Sequence, residues 1–245
     1  MKLDLHYTEP RLVALYDLEN ARGADTDFYL QLAAELDAQT IVDLGCGTGL
    51  LTSELAVDDR TVMGVDPSAP MLTVARARTG AERVQWVEGT SASLGSLEAD
   101  LAIMSGNVAQ IFLEDEEWAA TLGDLYAALR VGGYLAFESR NPLAQAWRGW
   151  NREATYAQID SPHGPMSCWL DVLHVGTRSV VFEGRNIFTE TGEELVARSE
   201  LRFRTLPEVT DSLVAAGFTV EHVYGRWDRS PFQESSPLMI FVARR

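Results

Sequence analysis

The sequence feature that most constrains the fold is the stretch Ile41-Val42-Asp43-Leu44-Gly45-Cys46-Gly47-Thr48-Gly49. Its apolar residues predict a buried strand, its alternating glycines predict a tight turn, and the apolar run after it predicts a helix. A strand, a glycine turn and a helix in this order place a ligand at the carboxyl end of the strand. The spacing differs from the dinucleotide fingerprint Gly-x-Gly-x-x-Gly, because Leu50 stands where that fingerprint requires glycine.

An acidic residue, Asp43, lies inside this strand, two residues before the first glycine. An unpaired carboxylate there would repel a diphosphate but would attract a cation. The segment Val-Asp-Leu-Gly-Cys-Gly-Thr-Gly resembles motif I of the class I S-adenosylmethionine (SAM) dependent methyltransferases, whose cofactor carries an amino-acid head and a sulfonium. The resemblance implies that Asp43, Gly45, Cys46 and Gly47 contact SAM.

A second apolar strand, Thr61 to Asp66, ends in a carboxylate about 20 residues beyond the first glycine. A carboxylate at that place can accept hydrogen bonds from both ribose hydroxyls of a nucleoside. The segment Gly-Val-Asp-Pro-Ser-x-x-Met-Leu resembles motif II of the same family. The resemblance implies that Asp66 and Pro67 contact the cofactor, and that Met71 or its neighbours lie against the adenine.

Strands and helices continue to alternate up to residue 140. The third predicted strand, Val84 to Glu88, is followed by Gly89, Thr90 and Ser91. In the family an acidic residue usually follows this glycine and accepts from the adenine amino group. Because Thr90 stands there instead, we expect Thr90, Ser91 or backbone to make that contact. Ser105, at the end of the fourth strand, is a further cofactor candidate.

Residues 143–204 interrupt this alternation. They contain four polar–apolar alternating runs, which predict an antiparallel meander. These runs are Ala154–Ile159, Met166–Val175, Arg178–Thr189 and Glu194–Arg204. The sequence thus predicts an α/β protein with a doubly wound, mostly parallel seven-stranded sheet, as in Rossmann-like methyltransferases, and an inserted antiparallel β cap. The predicted parts are an N-terminal helical segment (1–40), a SAM-binding core (41–142 and 205–245) and the cap (143–204).

Composition excludes several classes of protein. The 245 residues carry a formal net charge of −16, which repels phosphate backbones and argues against a nucleic-acid partner. The two cysteines indicate neither a disulfide framework nor a metal site. The sequence contains no run of 18 apolar residues, so it predicts no membrane span, and the first residues lack the pattern of a signal peptide. We therefore expect a cytoplasmic protein without a metal or a membrane partner.

The chemistry implied by the resemblance needs few catalytic groups. Methyl transfer from a sulfonium is an in-line displacement, and alignment alone can contribute roughly 7–11 kcal/mol. The catalytic residues therefore stay unidentified, and the candidates are Tyr16, Glu138, Arg140 and His174. Other polar groups expected at the open end of the sheet are Asn107, Gln110 and Asn141, and Tyr7 and Asn20 are candidate pocket residues.

We interpret the chain as a SAM-dependent methyltransferase acting on a small molecule, with a homodimer as an alternative use of the inserted sheet. One alternative function is a SAM-binding sensor or subunit without turnover. Another is a different SAM-site transferase, such as an aminopropyl transferase. An NAD-dependent oxidoreductase is opposed by Leu50 and Asp43. The sequence does not specify whether N, O, S or C is methylated.

Overall fold

The computed structural model describes residues 3–57 and 59–245. Its strands in chain order are β1 (Thr40–Leu44), β2 (Thr61–Asp66), β3 (Val84–Glu88), β4 (Ala99–Met104), β5 (Leu129–Arg140), β6 (Ala157–Ser161), β7 (Gly164–Val175), β8 (Ser179–Phe188), β9 (Glu194–Arg202), β10 (Thr219–Tyr224) and β11 (Leu238–Arg244). Its α-helices are α1 (Leu5–Thr8), α2 (Pro10–Val13), α3 (Tyr16–Glu19), α4 (Ala24–Glu35), α5 (Leu50–Leu55), α6 (Ala69–Arg76), α7 (Asp115–Ala128), α8 (Arg152–Thr155) and α9 (Leu206–Ala215). None of these helices has the length and apolar character needed to span a membrane.

Seven strands form the central sheet, in the order β10-β11-β5-β4-β1-β2-β3. Strands β1 to β5 run parallel to one another, and β11 pairs antiparallel with both β5 and β10. The strand order reverses between β1 and β4, so the sheet has its topological switch point there. This topology confirms the predicted doubly wound, mostly parallel sheet.

Helices cover both faces of the central sheet, which is why its inner strands consist mostly of apolar residues. Ile41 of β1 belongs to the core layer formed with α4 and α5, whereas its neighbour Val42 belongs to the layer formed with α7 and α9. Trp118 of α7 is 2% exposed and its indole N–H donates to Ser212 Oγ of α9 at 2.8 Å. The sheet is thereby held as a rigid support for the loops at its carboxyl end.

The inserted segment forms a second, four-stranded antiparallel sheet in the order β6-β7-β8-β9, as predicted. Its first strand starts at Ala157, three residues later than the sequence indicated. The reason is local: the side chain of Asn151 accepts from the N–H of Ala154 at 3.0 Å and caps the short helix α8. We call β6–β9 the inserted sheet.

The N-terminal segment packs on the inserted sheet. Leu12 and Leu15 are buried in one apolar cluster with Met166, Phe188 and Ala197 of that sheet. The sequence predicted a helical segment here, and the structure divides its first part into three short helices. One break lies at Pro10, which starts a new helix because proline fits its first turn.

The same segment is also tied to the central domain. Ser68 Oγ donates to the carbonyl oxygen of Tyr7, and the guanidinium of Arg78 pairs with the carboxylate of Asp17. Asp17 also accepts from Thr48 Oγ1 at 2.5 Å. The helices α1 to α3 are therefore held between the glycine turn and the inserted sheet.

Candidate functional site

The glycine turn after β1 leaves open space at one of its three glycines. Gly45, Gly47 and Gly49 have φ angles of 77°, 54° and 76°, a region that favours glycine. A Cβ on Gly45 would lie 2.5 Å from the side chain of Val108, and a Cβ on Gly49 would lie 2.4 Å from the ring of Trp86. A Cβ on Gly47, by contrast, would meet only Cε1 of Tyr16, at 4.0 Å. Gly47 therefore borders free space in which a ligand can approach the backbone.

Three adjoining cavities open at the carboxyl end of the central sheet. The slot has a volume of about 60 Å³ and is lined by Asp66, Gly89 and their neighbours. The loop cavity, of about 400 Å³, lies along the glycine turn and includes Gly47. The outer cavity, of about 550 Å³, lies between the N-terminal helices and β8 and β9. Tyr16 and Gly106 line all three cavities, and we call this point the junction.

The structure brings most of the predicted cofactor residues into the walls of the slot and the loop cavity. These residues are Gly45, Cys46, Gly47, Asp66, Pro67, Gly89, Thr90, Ser91 and Ser105. Met71 and Asp43 line none of the three cavities. Met71 is fully buried in α6, and its N–H donates to Ser68 Oγ at 3.1 Å.

The carboxylate of Asp66 lies between the glycine turn and the slot. Its Oδ2 accepts from the N–H of Gly47 at 2.9 Å, and its Oδ1 accepts from the N–H of Ser68 at 2.8 Å. Burial raises the pKa of this carboxyl above its usual value. An ionised carboxylate has about four lone-pair sites, so acceptor capacity remains for ligand hydroxyls.

Asp43 lies beneath the glycine turn and not in a cavity wall. Its Oδ2 accepts from Thr52 Oγ1 at 2.6 Å, whereas Oδ1 has no hydrogen-bond partner within the described part of the chain. Complete burial raises the pKa of Asp43 to about 7. The structure thus ties Asp43 to α5 and leaves it outside the walls of the three cavities.

Tyr16 reaches the junction from the N-terminal segment. Its ring centroid lies 6.3 Å from that of Tyr7, which lines the slot and the outer cavity. Burial raises the pKa of the Tyr16 hydroxyl to about 12. The hydroxyl is therefore protonated at neutral pH, so it can donate a hydrogen bond but cannot act as a phenolate base.

Glu138, near the end of β5, is a buried acid in the wall of the loop cavity. Its Oε1 accepts from the N–H of Asn107 at 2.5 Å, and its Oε2 accepts from the hydroxyl of Tyr29. Desolvation raises the pKa of Glu138 to about 7. A carboxyl with such a pKa can exchange a proton near neutral pH.

Arg140 projects into the loop and outer cavities from the same strand. Its Nη1 donates to Gln110 Oε1 at 3.0 Å, and its guanidinium lies 5.3 Å from the ring centroid of Trp150. Gln110 in turn donates to the carbonyl oxygen of Arg202 in β9 at 3.0 Å. The arginine is thus held by a side chain from the turn after β4 and by an aromatic ring from the segment before the inserted sheet.

The remaining catalytic candidate, His174, is exposed near the end of β7 and lines none of the three cavities. The structure therefore gives no support to His174 as a base. Trp227 of the β10–β11 connection lines the loop cavity, with its ring 5.8 Å from that of Tyr29. Sequence reasoning missed Trp227, because an irregular connection carries no periodic signal.

Comparisons with known proteins agree with this geometry. Residues 41–133 match the family model described as a methyltransferase domain. A protein of Geobacillus sp. (strain WCH70) named as a methyltransferase is 33% identical over 216 residues, which are 85% of this chain and 85% of that protein. The cypemycin N-terminal methyltransferase of a Streptomyces species is 28% identical over 249 residues, which are 98% of this chain and 97% of that protein.

The solved structure of SAM-bound CalS10, an amino pentose methyltransferase from Micromonospora echinaspora, has the same fold. Its TM-score is 0.69 at 20% identity, over 94% of this chain and 96% of that chain. Sequence motifs, sheet topology and these relatives lead to one identification. The chain belongs to the class I SAM-dependent methyltransferases, and it is an enzyme whose cofactor is SAM.

Proposed function

We propose that the enzyme methylates a small molecule bound in the outer cavity. The observation that carries this proposal is the junction: Tyr16 and Gly106 line the slot, the loop cavity and the outer cavity alike. A cofactor that fills the slot and the loop cavity therefore faces the outer cavity at one point. That point is the place for the group to be methylated.

The residues present fit SAM. Gly47 borders open space beside the backbone, as the methionine part requires, and Asp66 keeps acceptor sites for the ribose. Gly89, Thr90 and Ser91 form the end of the slot where the adenine would lie. When bound, SAM supplies an electrophilic methyl group on a sulfonium.

The contribution of the protein is then alignment and exclusion of water. Tyr7 and Tyr16 cover the slot from the N-terminal segment, and Ser68 and Arg78 hold that segment in place. Fixing two reactants in a productive geometry can lower a barrier by roughly 7–11 kcal/mol. Shielding from water also strengthens the electrostatic contacts within the site.

The inserted sheet, within residues 143–204, forms the cap of this site in our proposal. Val181 and Phe182 of β8 and Leu201 of β9 lie in the wall of the outer cavity. Removing the cap would also release the N-terminal helices, which pack on the same sheet. These contacts favour the cap over a role of the sheet as an interface only. Whether the protein also forms a homodimer stays a prediction, which sedimentation velocity tests.

Three observations support a small acceptor. The outer cavity, at about 550 Å³, lies within the usual range of about 300–1,000 Å³ for small-molecule sites. A net charge of −16 disfavours nucleic acid. The related CalS10 is named for an amino pentose acceptor. A cytoplasmic location belongs to the same proposal and is tested by cell fractionation.

The test uses SAM labelled in its methyl group and an ultrafiltered metabolite extract. The wild-type enzyme is expected to label a small product and release S-adenosylhomocysteine (SAH). A Leu201→Trp variant, which narrows the outer cavity, should lose product formation and keep its affinity for SAH. Wild-type protein that binds SAM but labels nothing would favour a sensor, and label confined to added protein would exclude a small acceptor.

A further inference from the structure

We propose that the group methylated is an amine, and that the side-chain amide of Asn107 and the carboxylate of Glu138 bind it beside the junction. This inference rests on the proposed function, because it places the acceptor in the outer cavity. Asn107 lines both the outer and the loop cavity, and Glu138 lines the loop cavity. The two residues adjoin through the hydrogen bond from the Asn107 N–H to Glu138 Oε1.

The charge of the outer cavity favours a cationic acceptor. Its wall contains the carboxylates of Asp4, Glu19, Glu114, Glu117 and Glu200 and the guanidinium groups of Arg140 and Arg198. Arg140 is already bound by Gln110 and stacked on Trp150. An excess of carboxylates along a cavity raises the local concentration of cations. An amine arrives at neutral pH as an ammonium ion, which matches this wall.

Glu138 has no ion-pair partner among the described residues, and the charge of Arg140 acts on it only at longer range. It is 2% exposed, and its oxygens accept only from neutral donors, the Tyr29 hydroxyl and the Asn107 N–H. No ion pair within 4 Å involves it in residues 3–57 and 59–245. A buried carboxylate is unfavourable unless a positive group compensates it. The ammonium of a bound acceptor would supply that charge at hydrogen-bonding distance, and it would offset the desolvation that raises the pKa of Glu138 to about 7.

The side chain of Asn107 forms no hydrogen bond within the described part of the chain. Its φ of 62° places it in the left-handed region, after Gly106 with a φ of 71°. It precedes the 3₁₀ turn Val108–Gln110, yet its side chain does not cap that turn. Its Oδ1 is buried without a hydrogen-bond partner in the described chain. A polar group held in this way is available for a ligand.

The two groups together select an amine over an alcohol. A neutral primary amine has two N–H donors and one lone pair. The ammonium form has three N–H hydrogens, of which Asn107 and Glu138 accept two. The third proton passes to solvent through the open outer cavity, and the lone pair that it leaves attacks the methyl group. An alcohol has a single O–H and can satisfy only one of the two acceptors. The other acceptor would stay unpaired, and its desolvation would weaken the binding of an alcohol.

The test requires no knowledge of the acceptor. Sinefungin is a SAM analogue in which a carbon that bears an amine replaces the methyl-bearing sulfonium, so it places an amine at the transfer position. Calorimetry gives the dissociation constants of SAH, SAM and sinefungin for the wild type, Asn107→Gly and Glu138→Gln. Glycine suits the left-handed backbone at position 107, and the Tyr29 hydroxyl can reverse to accept from a glutamine. Asp37→Gly is the matched control, because Asp37 has a φ of 47° outside the site.

We expect the wild type and Asp37→Gly to bind sinefungin at least about tenfold more tightly than SAH. Both site variants should lose this preference, with SAH and SAM affinities within about threefold of wild type. Equal binding of sinefungin and SAH by the wild type would overturn the proposal. If Glu138→Gln loses affinity for SAH, Glu138 instead binds the amino-acid ammonium group of the cofactor. If it loses affinity for SAM and sinefungin in parallel, Glu138 binds the positive charge at the sulfonium position. Failure of the wild type to bind SAH at all would refute the proposed function itself.

Discussion

Replacing Asp66 by alanine should weaken cofactor binding far more than it weakens the fold. The side chain is 8% exposed, and each of its oxygens accepts one backbone N–H, from Gly47 and from Ser68. The remaining acceptor sites are those that we assign to the ribose. A hydrogen bond to a charged group contributes about 1.5–3 kcal/mol. Loss of one such bond raises the dissociation constant roughly ten- to 150-fold.

Asp100 provides a matched control for this variant. Its Oδ2 accepts from the N–H groups of Gln39 and Thr40, both at 2.8 Å, and it pairs with Arg130. Asp100 thus also binds two backbone N–H groups, but it lies at the amino end of β4, away from the cavities. Asp100→Ala should lower the free energy of unfolding and leave the affinity for SAH unchanged.

The assay is isothermal titration calorimetry with SAH, which avoids turnover, together with urea unfolding of each variant. A folded Asp66→Ala protein that binds SAH within about twofold of wild type would refute the ribose assignment. Equal weakening by Asp100→Ala would show that the effect is a general loss of stability. In that case the carboxyl end of β2 would have no special role.

Three further predictions follow from the same geometry. Gly47→Val should abolish SAH binding in calorimetry, because the new side chain fills the space beside the backbone and strains a φ of 54°. The control is Gly80→Val, which should bind SAH normally: Gly80 also has a positive φ, of 84°, but a Cβ there would meet no atom within 4 Å. Normal SAH binding by both variants would refute the assignment of the space beside Gly47 to the cofactor. Asp43→Asn should gain stability relative to wild type between pH 5 and pH 8 in urea unfolding. The native state keeps a proton on Asp43 up to about pH 7 and the unfolded state only to about 3.8, so the wild type loses stability as pH rises; an equal difference at both pH values would contradict this. Asp17→Ala should weaken SAH binding by at most about fivefold, as expected for the loss of a partly exposed ion pair. It should also speed proteolysis of residues 3–23. Unchanged cleavage would show that Asp17 does not hold the N-terminal segment in place.

Much of the central architecture could be read from local patterns. The glycine turn and the carboxylate that ends β2 were predicted because each depends on a few adjacent residues with a fixed period. The parallel order follows from the same alternation, since helices between strands return the chain to the same edge of the sheet. The inserted sheet was also predicted, although α8 displaced its first strand because of one capping side chain, Asn151.

The details of the site depend on residues far apart in the chain. Glu138 meets Tyr29 across 109 positions, and Gln110 meets Arg202 across 92. Periodicity indicates which face of an element is buried, but it does not indicate which partner a buried polar group finds. Asp43 illustrates this limit, because only the structure shows that its carboxylate accepts from Thr52 of α5 and lines none of the three cavities.

The sequence by itself determined the fold class, the cofactor and the glycine turn after β1, because backbone turns and strand ends are encoded locally. The tertiary structure alone decided which groups meet at the junction, where we propose that the acceptor binds. Tyr16 reaches the junction only because the N-terminal helices are held between Arg78 on one side and the apolar cluster of Met166 and Phe188 on the other. Such packing depends on the simultaneous fit of three segments, and no single stretch of sequence contains it.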